Sequence, residues 1–127
     1  MPWIDLVTLL AVLEFLAMAW LVGRARVQYK VRAPATSGNE HFERWFRVQQ
    51  NTLETLIMFL PALWVAAQYW PAGWMALIGS VYLVGRVFYL VGYVREPRTR
   101  ELGYFLSLGP VGVLVVFGIV GIFKSLV

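Results

Sequence analysis

Four long apolar segments account for most of this chain of 127 residues and restrict what it can fold into. The segments are residues 6–23, 51–70, 74–94 and 102–123. About 20 helical residues cross the roughly 30 Å hydrocarbon core of a bilayer, so each segment is long enough to span it. Lipid admits only helices or closed barrels, and continuous apolar runs are not the alternating pattern of barrel strands. The sequence therefore predicts an all-α fold, a single four-helix membrane domain over residues 1–127.

The composition agrees with a membrane protein and argues against several kinds of site. Hydrophobic residues make up 60% of the chain and charged residues 14%, against about 45–50% and about 25% in soluble domains. The chain has no cysteine, so it has no disulfide, thiolate metal site or cysteine nucleophile. A single histidine, His41, does not build a zinc site alone. We therefore expect no metal cofactor, and the distribution of the basic residues suggests a membrane rather than a nucleic-acid partner.

The basic residues are strongly biased to one side of the predicted membrane domain. Nine of the 11 lysines and arginines lie in the segments 24–50 and 95–101, and Lys124 is the only one on the other side. Cytoplasmic loops carry the excess of basic residues in membrane proteins. We therefore predict a multi-pass protein with both loops in the cytosol and both termini outside, in the inner membrane if the source is a bacterium. The tight turn at residues 71–73 makes the second and third spans adjacent and antiparallel.

In the second and third predicted helices, polar residues follow one face of the helix into its membrane-spanning part. From Glu40 a helical pattern continues without a break into the second span. An ionisable group inside a span needs a partner or a wet cavity. The inward-running residues are spaced i, i+4 and i+7 on the second helix, and i, i+4, i+7 and i+11 on the third. They are Arg47, Asn51 and Glu54, and Tyr82, Arg86, Tyr89 and Tyr93.

The two polar faces predict an ion pair between Glu54 and Arg86. The chain places these two residues about 15 Å and about 13 Å inside the loop ends of their helices. An alternative is that the polar residues only link the helices by hydrogen bonds. Glu14 stands alone on the first span, and we interpret it as lining a polar helix contact or an oligomer axis. Glycines of spans three and four predict close helix packing at Gly79, Gly85, Gly92, Gly112, Gly118 and Gly121.

Two motifs resemble the membrane-associated proteins in eicosanoid and glutathione metabolism, the MAPEG family. The first is Glu43-Arg44-x-x-Arg47-x-x-x-Asn51-x-x-Glu54, and the second is Tyr82-x-x-Gly85-Arg86 followed by Tyr89, Tyr93 and Arg100. A Pro-x-x-x-Gly loop at residues 34–38 also fits. The resemblance covers residues 3–125, nearly the whole chain.

The resemblance implies a homotrimer that binds glutathione at each interface between subunits. One subunit would supply Arg47, Asn51, Glu54, Tyr89, Tyr93 and Arg100, and its neighbour Arg26 and Gln49. By the same resemblance Arg100 is the catalytic residue that activates the thiol, with Arg98 as the alternative. On the helical wheel Gln49 lies opposite Arg47, so one helix would serve two sites.

The resemblance also implies a glutathione S-transferase activity on a lipophilic electrophile taken from membrane lipid, and it is compatible with reduction of lipid hydroperoxides. A non-catalytic scaffold that binds a lipid or a partner protein is the alternative, because the family includes such members. A small transporter is disfavoured by the lack of an inverted repeat or a broken helix. The chain departs from some members at Val27, Thr52 and Thr55, which leaves the second substrate open.

Overall fold

The computed structural model describes residues 1–127 as four long helices without a strand. They are α1 (Pro2–Tyr29), α2 (Glu40–Tyr69), α3 (Ala72–Arg95) and α4 (Glu101–Leu126), with a 3₁₀ turn at Pro97–Arg100 before α4. Each helix is long and apolar enough to cross a membrane. The predicted all-α, four-helix class is confirmed. We call the end of the bundle that holds residues 30–39 and 96–100 the loop end.

The predicted extension of the second helix beyond its apolar segment is also confirmed, because α2 begins at Glu40. Asn39 caps this helix, and its side chain accepts hydrogen bonds from the backbone N–H groups of His41 and Phe42 at 2.9 and 3.0 Å. Such a cap satisfies two of the amide donors that a helix leaves free in its first turn.

A short polar network holds the loop end of α2 against the end of α3. The Arg44 guanidinium donates to the backbone carbonyls of Val94 and Arg95 at 3.3 and 3.4 Å. It also forms a salt bridge of 2.7 Å with Glu40, one turn earlier on α2. Arg44 thereby ties the first turns of α2 to the end of α3 at the loop end, where the pocket described below opens.

The helices bury one large apolar cluster and two smaller ones, and most of the remaining apolar surface faces outward. α1 presents a buried stripe to the other helices, made of Ile4, Val7, Ala11, Met18, Val22 and Ala25. At the centre the rings of Phe59 and Tyr82 stack with centroids 3.9 Å apart. Outward-facing residues of α1 such as Leu9 and Trp20 remain 67% and 65% exposed. An apolar exterior of this kind suits contact with lipid tails or another apolar subunit surface.

Glycines allow α3 and α4 to approach backbone to backbone. A Cβ atom at Gly85 would lie 2.6 Å from the carbonyl carbon of Leu106, and one at Gly103 would lie 2.2 Å from the amide nitrogen of Tyr89. The expectation for Gly85 is met, whereas the close approach at Gly103 was not anticipated. The expectation for Gly112 is wrong, because a Cβ atom there would meet nothing within 4 Å.

Candidate functional site

A polar pocket of about 800 Å³ opens at the loop end between α2, α3 and α4. This volume falls within the roughly 300–1,000 Å³ of small-molecule sites. Its lining combines charged side chains, amides and tyrosines: Thr36, Ser37, Glu43, Phe46, Arg47, Gln50, Asn51, Glu54, Tyr89, Tyr93, Arg100 and Tyr104. The pocket therefore extends from the α1–α2 loop into the membrane-length helices.

Six of the eight side chains singled out from the sequence lie together in this pocket. α2 contributes Arg47, Asn51 and Glu54 from successive turns of one face, and α3 and the 3₁₀ turn contribute Tyr89, Tyr93 and Arg100. This arrangement follows from the helical spacing, which aligns residues three, four and seven apart. The structure thus joins polar residues from three parts of the chain around one cavity.

The other two side chains, Arg26 and Gln49, do not line the pocket. The Arg26 guanidinium donates to the backbone carbonyl of Ala35 at 2.8 Å and lies 4.8 Å from the centre of the Phe42 ring. It therefore supports the fold of the α1–α2 loop within its own subunit. Gln49 occupies another face of α2, as the helical wheel indicates.

The 3₁₀ turn at Pro97–Arg100 separates the two arginines that were candidates for thiol activation. Arg100 lines the pocket, with its guanidinium 5.9 Å from the centre of the Tyr93 ring. Its Nη1 donates to the carbonyl of Pro97 at 3.1 Å, which anchors the side chain to the turn. Arg98 is exposed and does not line the pocket. The geometry therefore brings Arg100, and not Arg98, beside the tyrosines.

The predicted ion pair between Glu54 and Arg86 is wrong for this structure. The single salt bridge of the chain is the one between Arg44 and Glu40. Glu54 is exposed on the pocket wall, whereas Arg86 is fully buried behind that wall. A carboxylate in a wet pocket keeps its hydration. Burying it would cost several kcal/mol in lost hydration per ion, even after the protein relaxes around the charge.

Neutral oxygen atoms take the place of the carboxylate around the buried guanidinium. The Nε of Arg86 donates to the Ser107 Oγ at 2.9 Å, and Nη1 donates to the Asn51 Oδ1 at 2.8 Å and the Thr52 Oγ1 at 3.1 Å. Arg86 thereby joins α3 to α2 and α4. Because the Asn51 oxygen faces Arg86, the amide NH₂ of Asn51 is left to donate into the pocket.

The remaining pocket residues were not proposed as site residues from the sequence. Glu43 belongs to the first motif and lies one turn before Arg47, and Tyr104 lies one turn after Arg100, so helical spacing offered a signal for both. Thr36 and Ser37 come from an irregular loop whose path the sequence pattern does not specify.

The charges of the pocket suit a small zwitterionic ligand. Arg47 and Arg100 are cationic and have no carboxylate partner within the chain, since its single salt bridge lies elsewhere. Glu43 and Glu54 provide two carboxylates in the same cavity. Guanidinium groups bind carboxylates through paired hydrogen bonds, and carboxylates bind ammonium groups. The arrangement can therefore hold a ligand with acidic ends and an amine, beside tyrosine hydroxyls.

Comparison with known proteins identifies relatives over nearly the full chain. The MAPEG family model matches residues 4–120. Human microsomal glutathione S-transferase 2 is 39% identical over 119 residues, which are 94% of this chain and 81% of that protein. Guinea-pig (Cavia porcellus) leukotriene C4 synthase is 38% identical over 116 residues, 91% of this chain and 77% of that protein. An uncharacterized protein of Synechocystis is 44% identical over 124 residues, 98% and 90% of the two chains.

Proposed function

This chain belongs to the MAPEG family, and from that premise we propose that it is an integral membrane glutathione S-transferase that acts on a lipophilic electrophile. The observation that carries the proposal is the pocket that gathers Arg47, Asn51, Tyr93 and Arg100. Two relatives, at 39% and 38% identity, bear the names of a glutathione transferase and of leukotriene C4 synthase. A scaffold would need no such set of polar side chains in one cavity.

Glutathione matches the charges of the pocket. The tripeptide carries two carboxylates and one ammonium group, and the pocket offers two arginines and two glutamates. We assign a carboxylate of glutathione to Arg47, its ammonium group to Glu54, and a peptide or carboxylate oxygen to the Asn51 amide. Tyr89 and Tyr93 add hydroxyl groups along the wall formed by α3.

Arg100 is positioned to stabilise the sulfur of glutathione as a thiolate. A free thiol with a pKa of about 8.5 is only about 3% thiolate at pH 7. A fixed cation beside the sulfur favours the thiolate, which is the reactive form. Arginine suits this role because it does not lose its proton in proteins. The side chain of Arg100 is anchored to Pro97 at 3.1 Å, so the cation is held in place.

In the reaction the thiolate sulfur attacks an electrophilic carbon, and a carbon–sulfur bond forms. The leaving group departs with its electron pair, or an opened epoxide oxygen takes a proton from water. The same thiolate would reduce a lipid hydroperoxide when two glutathione molecules supply the electrons and become the disulfide, giving an alcohol and water. Transfer to carbon is the activity we propose, and reduction of hydroperoxides is an addition to it.

A homotrimer completes the proposal. In it Arg26 and Gln49 of a neighbouring subunit contribute to the glutathione site, and both termini lie outside with the basic loops in the cytosol. Support comes from Gln49, which faces away from the pocket of its own subunit. Arg26 would contribute without leaving its loop, because a guanidinium has five N–H donors and this one donates to two carbonyls within its own loop.

The test is binding and turnover by detergent-purified protein. Wild type is expected to be retained on a glutathione resin, to be eluted by free glutathione and to conjugate a nitroaryl halide. Arg47→Ala should weaken binding, whereas Arg24→Ala, an exposed arginine outside the pocket, should not. Failure of the wild type to bind glutathione would contradict the transferase proposal and favour a lipid- or partner-binding scaffold. Native mass spectrometry of the same sample tests the trimer.

A further inference from the structure

The buried stripe of α1 contains one ionisable residue, Glu14, which the proposed chemistry does not use. The apolar members of this stripe recur at positions 4, 7, 11, 18, 22 and 25, and position 14 falls into the same helical series. Glu14 therefore lies on the face of α1 that packs against the other helices. An acidic residue on such a face of a membrane-length helix requires a compensating partner.

The packing of α1 places Glu14 at the level of Arg86. One turn before Glu14, Ala11 belongs to the same core cluster as Tyr82, and one turn after it, Met18 packs with Tyr89 in another cluster. Tyr82 and Tyr89 are the residues one turn before and one turn after Arg86 on α3. Glu14 on α1 and Arg86 on α3 thus each lie between a residue of the first cluster and a residue of the second.

Both groups also hold a buried polar atom without a hydrogen-bond partner. These are Oε1 of Glu14 and Nη2 of Arg86, the only such side-chain atoms in the chain. The three neutral acceptors of Arg86 take hydrogen bonds from Nε and Nη1 and leave its positive charge unneutralised. Glu14 and Arg86 do not form a direct salt bridge, but they are close enough for the charge of each to act on the other.

We propose that Glu14 is the counter-charge of Arg86 and a positioning residue for the pocket, because it holds the guanidinium that in turn orients the Asn51 amide. The interaction extends from Glu14 on α1 to Arg86 on α3 and from there to Asn51 on the pocket wall of α2. Arg86 donates to the Asn51 Oδ1 at 2.8 Å. The effect on ligand binding rests on the proposed use of glutathione. The electrostatic pairing of Glu14 with Arg86 does not depend on it.

The functional test compares Glu14→Gln with Asp5→Asn, which removes the other acidic charge of α1 at an exposed site in its first turn. Glu14→Gln should raise the KM for glutathione about 3- to 30-fold, a range typical of coupled polar networks. It should leave kcat per folded molecule nearly unchanged, and Glu14→Asp, which keeps the charge, should recover part of the loss. A lower kcat with an unchanged KM would overturn the positioning role.

The second test measures thermal stability in detergent and needs no ligand. Glu14→Gln and Arg86→Met should each lower the melting temperature, and the double variant should melt within about 2 °C of Arg86→Met because the two losses are coupled. Strictly additive losses would overturn the pairing. If wild type binds no glutathione but the losses are coupled, the pairing stands and the positioning role fails with the proposed function. Asp5→Asn should melt like wild type.

Discussion

At the scale of single residues, the buried guanidinium of Arg86 decides how the pocket wall is built. Its Nε and Nη1 donate to side-chain oxygens on α2 and α4, and one of these oxygens belongs to Asn51. Removing such a donor leaves buried acceptors unsatisfied, which costs about 1–3 kcal/mol per group. Arg86, which does not line the pocket, therefore orients Asn51, which does.

Arg86→Met is expected to lower the free energy of unfolding in detergent by at least about 2 kcal/mol, because it strands buried acceptors. Glu54→Gln is the matched comparison, since the structure shows Glu54 exposed on the pocket wall and without a salt bridge. It should change stability by less than about 0.5 kcal/mol. Urea or thermal melts of the purified variants measure both. Equal losses of unfolding free energy in the two variants would instead support an ion pair between Glu54 and Arg86, which the structure does not show.

Arg100→Ala is expected to reduce conjugation of a nitroaryl halide about 10- to 1000-fold, the effect of deleting one preorganised electrostatic stabiliser. Its KM for glutathione should change much less, because Arg47 and Asn51 remain in the pocket. The ultraviolet absorbance of the thiolate should appear when glutathione is added to wild type and shrink in the variant. Arg98→Ala is the control, since Arg98 lies outside the pocket. Loss of activity in Arg98→Ala alone would transfer the thiol-activating role to that residue.

At the scale of helices, the contact between α3 and α4 is set by glycines placed opposite backbone. Gly103 lies against the backbone of Phe88 and Tyr89, and Gly85 against that of Leu106 and Ser107. Each glycine therefore brings one helix close to the main chain of the other, as small residues do at membrane helix interfaces. The 3₁₀ turn that carries Arg100 leads directly into this contact, so its position follows from the helix spacing.

Gly103→Ala is expected to destabilise the protein by at least about 1–3 kcal/mol, the usual cost of overpacking. The added Cβ would meet backbone at 2.2 Å, and backbone cannot move aside as a flexible side chain can. Gly109→Ala on the same helix is the control, because a Cβ atom there meets nothing within 4 Å. It should leave the melting temperature unchanged or slightly raised. A Gly103→Ala protein as stable as wild type would contradict the close approach of α3 and α4.

The helices were predictable from sequence because their signals are local. Apolar runs and the polar spacing on α2 act within a few turns, and they correctly predicted four helices and the start of α2 at Glu40. The partners of Arg86 and the approach at Gly103 depend on how far one helix is shifted or rotated relative to another. A shift of one residue in that register would bring Asn51 or Leu53 to the position of Thr52.

At the scale of the whole molecule, the basic residues divide the surface into two unlike ends. Nine of the 11 lysines and arginines belong to segments 24–50 and 95–101, which lie at or next to the loop end, and Lys124 lies near the opposite end. The exterior between these ends is largely apolar. From this division of charge we expect the protein to take one orientation in a membrane, with the loop end toward the cytosol.

Single cysteines at Thr36 and Gly73 are expected to react with a membrane-impermeant thiol reagent from opposite sides of sealed vesicles. Thr36 lies in the α1–α2 loop and Gly73 near the start of α3 at the other end, and both are exposed. The chain has no native cysteine, so the unmodified protein is the control for background labelling. Labelling of both positions from one side would contradict the four-span arrangement.

The pocket reaches from loop residues Thr36 and Ser37 to Glu54 and Tyr89 within the membrane-length helices, so in a membrane we expect it to border on both water and lipid. The concentrations of its two proposed substrates would therefore be defined in different phases. Glutathione has a molar concentration in the aqueous phase, while a lipophilic electrophile has a mole fraction in the membrane. Adding inert lipid or detergent dilutes the second substrate without changing its total amount. A transferase of the proposed kind would thus obey surface-dilution kinetics, and its apparent preference among electrophiles would include their partition coefficients.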